Sequence, residues 1–513
     1  MALLIRSLLS ALLVLAACLA SAGEARFMAL SYHEVLPDHE PLTPTAVRAS
    51  DLARQFAWLQ ANDYHPVSVD RILAARAGGP PLPPRAILLT FDDGKKDTYT
   101  HVFPLLKLFN YPAVIALVGK WMEVPYGQMV DYDGAPLPRN EFLSWTQVRE
   151  MQDSGLVEVA SHSYDLHHGI LANPQGNTQP AATTRLYANG RYEDDAAYLA
   201  RLRHDLRDSF SRHTGKAPRI IVWPYGRSNL AAQQVAAELG MPIGLTLVDG
   251  FNEATTPTAV WKRQLIENSP SLQAFAEMLR VTWAPNPGRS VKVDPGTWPP
   301  GEDELSPTLE RLLSLSPNIA FIKPDIVRDG REMTLFPTRL RPVAADKLNH
   351  IAWQTERRAG VPVFIDLPAT WLNEPELIAD LARQVNFAGL RISAAPGSAA
   401  AERVRKAAER WVWPLQIAYA LDKLPEPTVW ATLPKGDLIV LPATDDIVSA
   451  LPAEAATRVL LEFDPSLPPR TIARSMNRLE AAGFRQFGIA GFPESTMDIL
   501  FPSLSLRWQP QLR

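Results

Sequence analysis

Short apolar runs alternate with longer stretches of helical spacing from Phe27 to about Trp283. Phe27 to Ser31, Ala86 to Thr90, Ala113 to Val118, Leu156 to Ala160 and Ile220 to Val222 are largely apolar and of strand length. Runs of that kind suit strands buried on both faces of a sheet. Asp51 to Asn62, Trp145 to Ser154, Asp194 to Thr214 and Asn229 to Leu239 carry the spacing of amphipathic helices. Strands that alternate with helices predict an α/β fold with parallel strands. Pro66, Pro112 and Pro218 precede or open strands, where a missing amide is tolerated.

Ala284 to Glu302 is dense in proline and glycine and has no period, so it reads as a linker. A second α/β pattern follows. Ile319–Ile322, Val361–Ile365, Gly389–Ile392, Leu415–Ala418, Leu438–Leu441 and Phe487–Ala490 are its strands, and Ala344–Ala359, Glu374–Val385 and Ser398–Trp411 its helices. The repeated βα unit predicts a (β/α) barrel. Roughly 210 residues remain for it against the ~250 of a typical barrel, so a trimmed barrel is expected. The expected division is therefore residues 23–283, a linker over 284–303, and residues 304–513.

Bulk properties narrow the class. A chain of 513 residues predicts two or three domains. Its 46% hydrophobic and 21% charged content excludes a disordered chain. The net charge is −4, from 51 basic and 55 acidic side chains, and no Lys/Arg block stands out. That balance gives no basis for a nucleic-acid partner and suits a neutral substrate. Residues 1–22 have a basic start (Arg6), the apolar run LLSALLVLAACLA and then small residues, the pattern of a secretory signal peptide. The run is short for a spanning helix, and no later stretch reaches about 18 apolar residues. Cys18 is the sole cysteine, so no internal disulfide forms. Leu15-Ala16-Ala17-Cys18 resembles a bacterial lipobox, which implies a lipidated Cys18 and a periplasmic protein anchored to the outer membrane. Cleavage after Ala20-Ser21-Ala22 is the alternative and implies a soluble periplasmic or secreted protein.

Four segments carry candidate chemistry, each just past a predicted strand. They are Tyr32-His33-Glu34, Thr90-Phe91-Asp92-Asp93-Gly94, Ser161-His162 through His167-His168, and Trp223-Pro224-Tyr225-Gly226. The C-terminal edge of parallel strands is where α/β folds build active sites, so distant segments meet there. Neighbouring carboxylates on a tight turn point in different directions; one can hold a divalent metal while the other takes a proton from water. Two imidazoles and a carboxylate make a ligand set with open positions, which suits a hydrolytic metal. A further histidine can protonate a leaving amine, and a backbone amide in a Pro-Tyr-Gly turn can hold an oxyanion. Taken singly, each segment is as well explained by a solvated turn or a packed loop.

Together these motifs resemble the polysaccharide deacetylases, family 4 of the carbohydrate esterases. Tyr32-His33-Glu34-Val35 near the start and the run Gly169-Ile170-Leu171-Ala172-Asn173-Pro174-Gln175-Gly176-Asn177 after the histidines resemble the subfamily acting on poly-β-1,6-N-acetylglucosamine. In that subfamily the acid histidine comes first in the chain, as His33 does. The resemblance implies a distorted deacetylase-type (β/α) barrel with Asp92 as general base. It implies Asp93, His162 and His167 as metal ligands, His33 as general acid and the Tyr225 amide in the oxyanion hole. His168 is the alternative to His167. The implied cofactor is a divalent metal, zinc by its ligand set, with nickel or cobalt as alternatives. The implied activity is partial de-N-acetylation of exported poly-N-acetylglucosamine, with an outer-membrane export porin as a further partner. A peptidoglycan or chitin-oligomer deacetylase and a non-catalytic polysaccharide-binding export protein are the competing readings. The chain departs from the pattern at Glu34, where the subfamily has Asp, and at Val222, where many members have an arginine that orients the base. Arg219 and Arg263 are the candidates for that task.

From about Ser306 the chain resembles a glycoside-hydrolase-type barrel, through Pro317-Asn318-Ile319-Ala320-Phe321, Leu335-Phe336-Pro337-Thr338-Arg339 and Ile351-Ala352-Trp353-Gln354. In that family the strand like Phe387-Ala388-Gly389-Leu390 leads into an acidic pair; here Ser393-Ala394-Ala395 follow. Glycoside cleavage needs two carboxylates, and Asp366 is the one in view, so this barrel is expected to be hydrolytically inactive. Trp298, Trp371, Trp411 and Trp413 are candidates for stacking on sugars, with core packing as the alternative.

Overall fold

The computed structural model describes residues 25–280, 288–297, 305–452, 455, 457–492, 499, 500 and 504. The signal peptide and lipobox at Cys18 lie outside the described residues, as does Trp298. No helix among the described residues is long and apolar enough to cross a membrane. The chain divides into two compact units.

The first unit is built on one sheet. In chain order its strands are β1 (Phe27–Tyr32), β2 (Ala86–Phe91), β3 (Ala113–Leu117), an excursion as the hairpin β4 (Met129–Tyr132) and β5 (Ala135–Pro138), then β6 (Val157–Ser161), β7 (Ile220–Val222), β8 (Ile243–Leu245) and β9 (Gln264–Leu265). The sheet order is β8-β7-β6-β3-β2-β1-β9, with the two-residue strand His65–Pro66 also pairing β2. Its ladders are parallel, as the alternating pattern predicts. The path ends at β8 and β9 without closing, which makes it half a barrel.

Successive residues of a strand face opposite sides. Leu30, Leu89 and Ile115 therefore pack with Leu52, Phe56 and Leu59 of the helix Ala49–Ala61. Ala29, Leu88 and Val114 pack on the other face with Val222, Leu245 and Trp261. The Asp194–Thr214 pattern, predicted as one helix, is two: Asp195–Asp205 and Ser211–Thr214. Asp208 divides them, because its carboxylate accepts the amides of Phe210 and Ser211 at 2.9 and 3.0 Å in place of a continuing helix bond.

The second unit is a closed ring of eight parallel strands: β10 (Arg289–Val293), β11 (Ile319–Ile322), β12 (Val363–Asp366), β13 (Gly389–Ile392), β14 (Gln416–Ala420), β15 (Leu438–Pro442), β16 (Val459–Phe463) and β17 (Phe487–Ile489). β10 pairs both β11 and β17 and closes it. The expected trimming lies in the connections, two of whose helices, Pro427–Thr432 and Asp445–Ala450, have six residues each. The strand count is complete because β10 and β16 join the six strands read from the sequence. β10 lies inside the stretch read as a linker over 284–303, which corrects that boundary. Its five residues RSVKV are hidden between Pro/Gly-rich flanks. Residues 171–178 and 184–193, read from the sequence as part of the first domain, group with the second unit. There Gln175 and Tyr192 hydrogen-bond Asp346, and Ala172 and Asn177 bond Asn349 and His350. Trp371 and Trp411 are core residues.

Inside the ring the strands approach closely. A Cβ on Gly389 of β13 would lie 2.3 Å from Phe364 Cε1 and 2.7 Å from the Gln416 carbonyl. Gly389→Ala is expected to destabilise this unit by about 1–3 kcal/mol, read as a lower denaturation midpoint with the denaturant slope unchanged.

Candidate active site

Register brings the four segments to one edge. Tyr32 pairs with Phe91, Leu117 with Ser161 and Ser161 with Ile221. His33, Asp92 and His162 each follow a paired strand end, and the ladder continues through Asp92 N–H to the Tyr32 carbonyl (2.9 Å) and His162 N–H to the Leu117 carbonyl (2.8 Å). Asp93 then leaves the strand direction in the left-handed region, φ +73°. That turn separates the two carboxylates.

Asp92 and Asp93 are each 1% exposed. Two buried carboxylates need compensation, and each has a different one. Arg263, fully buried, donates from Nη1 to Asp92 Oδ1 at 2.8 Å and to Thr90 Oγ1 at 3.0 Å, with Nε bonded to the Thr246 carbonyl. Burial works to raise the Asp92 pKa, but Arg263, His162 and His33 outweigh it and hold the carboxyl below its ordinary value. His33 Nε2 lies 3.9 Å from the other oxygen, Oδ2. Arg219, the other candidate for this place, pairs instead with Glu158 and Asp70.

Asp93 faces the histidine loop. Its Oδ1 is 3.5 Å from both His162 Nε2 and His167 Nε2. That oxygen is buried and has no hydrogen-bond partner among the described residues. The three ligand atoms lie within 4.8 Å of one another, and this is a group that could hold a metal ion. The donor set fits a divalent metal. His162 Nδ1–H donates to the Val222 carbonyl at 2.7 Å, which leaves Nε2 as the lone-pair nitrogen toward Asp93. His167 is neutral in the folded chain, since burial pushes its pKa down to about 4. Burial also works against charge on His162, yet Asp93 and Asp92 outweigh it and raise its pKa. Asp93 itself is held ionised: burial opposes charge, and His162, His167 and His33 prevail. His168 is outside this cluster, nearly half exposed and 3.7 Å from Asp165.

Tyr225 sits after β7 in a Pro-Tyr-Gly turn, with φ +56°, and its ring lies 4.7 Å from that of His167. Glu34, the longer residue where the subfamily has Asp, pairs with Lys95 at 3.2 Å and accepts from Thr43 at 2.5 Å. Two residues here escaped sequence reasoning. Tyr132, at the end of β4, donates its hydroxyl to Asp93 Oδ2 at 2.5 Å. Asp133 accepts the Tyr225 hydroxyl at 2.8 Å. An Asp-Gly pair between two short runs is a hairpin signal, but nothing in that signal says where the hairpin points.

The second unit has its own charged cluster at the C-terminal strand ends. Arg391 donates to Asp366 and to Glu462, each at 2.8 Å, and Lys292 pairs with Asp366 at 2.5 Å. Glu462 adds a second carboxylate to the one read from the sequence. A cavity of about 600 Å³ opens beside it, where Ser393, Ala394 and Ala395 stand in place of the acidic pair.

Residues 79–244 match the polysaccharide deacetylase family. A poly-β-1,6-N-acetyl-D-glucosamine N-deacetylase of Escherichia coli K12 is 34% identical over 365 residues, 68% of this chain and 54% of the relative. The chain thus spans about half the length of that curated relative. Among solved structures, a de-N-acetylase from Aggregatibacter actinomycetemcomitans is 38% identical and covers 49% of this chain and 99% of its own, with a TM-score of 0.47. The BpsB deacetylase domain from Bordetella bronchiseptica is 46% identical over 47% of this chain and 96% of its own, with a TM-score of 0.44. Through residues 79–244, which include Asp92, Asp93, His162, His167 and Tyr225, this chain belongs to the polysaccharide deacetylase family.

Proposed function

We propose that the first unit removes N-acetyl groups from poly-β-1,6-N-acetylglucosamine, releasing acetate and leaving free amines on the polymer. The observation that carries this reading is the pairing of two unlike sites on adjacent residues: an Asp92 carboxylate locked by Arg263 and an Asp93 oxygen aimed at two imidazoles. The substrate follows from the E. coli relative and from the motifs around His33 and after His168.

Asp93, His162 and His167 would hold a divalent cation, zinc by preference for this donor set. Bound there, the cation would lower the pKa of water and polarise the acetamide carbonyl. The chain's own residues do the rest. Asp92 enters the reaction ionised and accepts the proton of the attacking water, because Arg263 helps hold its pKa below the ordinary value. Arg263 also holds Oδ1, so Oδ2 is the oxygen that takes the proton. His33, 3.9 Å from that oxygen, gives a proton to the leaving nitrogen. The Tyr225 amide donates to the oxyanion. Each deacetylated sugar becomes a cation, which changes how the polymer is exported and adheres. In the second unit, both carboxylates at the ring mouth are tied to Arg391, which supports a role other than glycoside cleavage. The same reading has the chain in the periplasm, tethered through a lipidated Cys18 and passing polymer to an outer-membrane porin.

Amine release from poly-N-acetylglucosamine is expected from the purified chain, to stop on chelation and to return with zinc. Release from chitin oligomers alone would replace the substrate, and no release from either would overturn the reading. Asp92→Asn is expected to lower kcat/KM by about 10²–10⁴-fold; full activity would refute its role as base. Arg263→Met removes the cation that opposes burial, so the Asp92 pKa rises. The acid limb of the kcat/KM profile is then expected to move to higher pH, and an unmoved limb would deny Arg263 that role.

A further inference from the structure

The hairpin β4–β5 is an excursion from the sheet, and its tip reaches the candidate metal centre twice. It turns through Asp133 (φ +51°) and Gly134 (φ +86°), both left-handed, with Gly134 N–H bonded to Asp131 Oδ1 at 2.8 Å. Two consecutive positive φ values are the geometry of a tight hairpin turn that keeps Tyr132 opposite Ala135. The side chains on either side of that turn therefore have fixed directions.

Tyr132 uses its direction to reach Asp93. A carboxylate can ligate through one oxygen or two, and the choice changes ligand number and geometry. At Asp93, Oδ2 accepts the Tyr132 hydroxyl at 2.5 Å, while Oδ1 stays unpaired, buried and 3.5 Å from both histidine nitrogens. The phenol thus removes one oxygen from the ligand set. Its ring cannot swing away easily. Trp121 lies 4.9 Å from it, Phe142 lies 6.1 Å from it, and Lys95 Nζ sits 4.8 Å from the ring centre. Lys95 also pairs with Glu34, the neighbour of His33, which ties the segment carrying His33 to the one carrying Asp93.

Asp133 acts on the other side. His162 has a carbonyl to fix its ring, as ligating histidines commonly do. His167 Nδ1 is buried and has no hydrogen-bond partner among the described residues. Its ring is held instead between Trp121 at 4.9 Å and Tyr225 at 4.7 Å. The Tyr225 hydroxyl is in turn bonded to Asp133 at 2.8 Å.

We infer that the β4–β5 hairpin is a positioning element for the metal ligands: Tyr132 makes Asp93 a one-oxygen ligand, and Asp133 steadies the aromatic wall that orients His167. This rests on the reading of Asp93, His162 and His167 as a metal site. Neither residue touches substrate in this role.

The test is metal binding to the whole chain, measured apart from catalysis. Metal-free wild type, Tyr132→Phe and Asp133→Asn are titrated with Zn²⁺ against a competing chelator and with Co²⁺ by visible absorption. Tyr132→Phe keeps the ring and removes one oxygen. It is expected to raise the Zn²⁺ Kd by about 10–100-fold, to alter the Co²⁺ bands as Asp93 gains a second ligating oxygen, and to leave the thermal midpoint of the metal-free chain unchanged. Asp133→Asn is expected to raise Kd less and to leave the Co²⁺ bands in place. Equal Kd and identical spectra for wild type and Tyr132→Phe would overturn the inference while leaving the metal site intact. A lowered metal-free midpoint with unchanged Kd would make Tyr132 merely structural. Failure of wild type itself to bind either ion would overturn the metal site and this inference with it.

Discussion

Two carboxylates buried side by side are the constraint on which the first unit depends. Each loses its hydration, at an effective cost of several kcal/mol per ion. The chain meets the cost asymmetrically. The left-handed turn at Asp93 sends the two side chains apart. Asp92 meets a buried guanidinium that is itself anchored on Thr90 and the Thr246 carbonyl. Asp93 meets a phenol on one oxygen and two imidazoles on the other. The half-open sheet is what allows this. β9 lies beside β1 at one edge and delivers Arg263, while β6 and β7 deliver the histidine loop and Tyr225 from the far side of the turn.

Much of this was legible because strand ends are local. A buried strand is an apolar run, and in a parallel sheet its C-terminal end is the productive one, so His33, Asp92, Asp93, His162 and Tyr225 were placed by their neighbours in sequence. Arg263 could only be one of two candidates, since β9 has two residues and leaves no period. Tyr132 and Asp133 were invisible because a hairpin's direction depends on what it packs against, here Trp121 and Phe142. In the second unit, β10 was lost between prolines and glycines. β16, VLLEF, was lost because residues 451–458 before it carry little pattern, and with it went Glu462. The run from Gly169 to Asn177, the most specific part of the resemblance, holds none of the metal-ligand candidates. Residues 171–177 of it group with the second unit.

The two strand-end clusters differ in one respect that bears on chemistry, their charge balance. At the ring mouth of the second unit, Asp366 and Glu462 face Arg391 and Lys292, two anions and two fixed cations. At Glu462 burial still outweighs Arg391 and Lys292 and raises the pKa, but a further cation would meet repulsion from the two already present. In the first unit Asp92 and Asp93 face one fixed cation, Arg263. The imbalance registers in the surroundings: His162 is pushed toward protonation although burial opposes it, while His167, with burial dominant, stays neutral. A divalent cation held by Asp93, His162 and His167 would add positive charge at this cluster. The same parallel-sheet edge therefore yields a self-compensated cluster in one unit and a cation-deficient one in the other, and the difference rests on whether a lysine and an arginine or a single arginine stands among the acids.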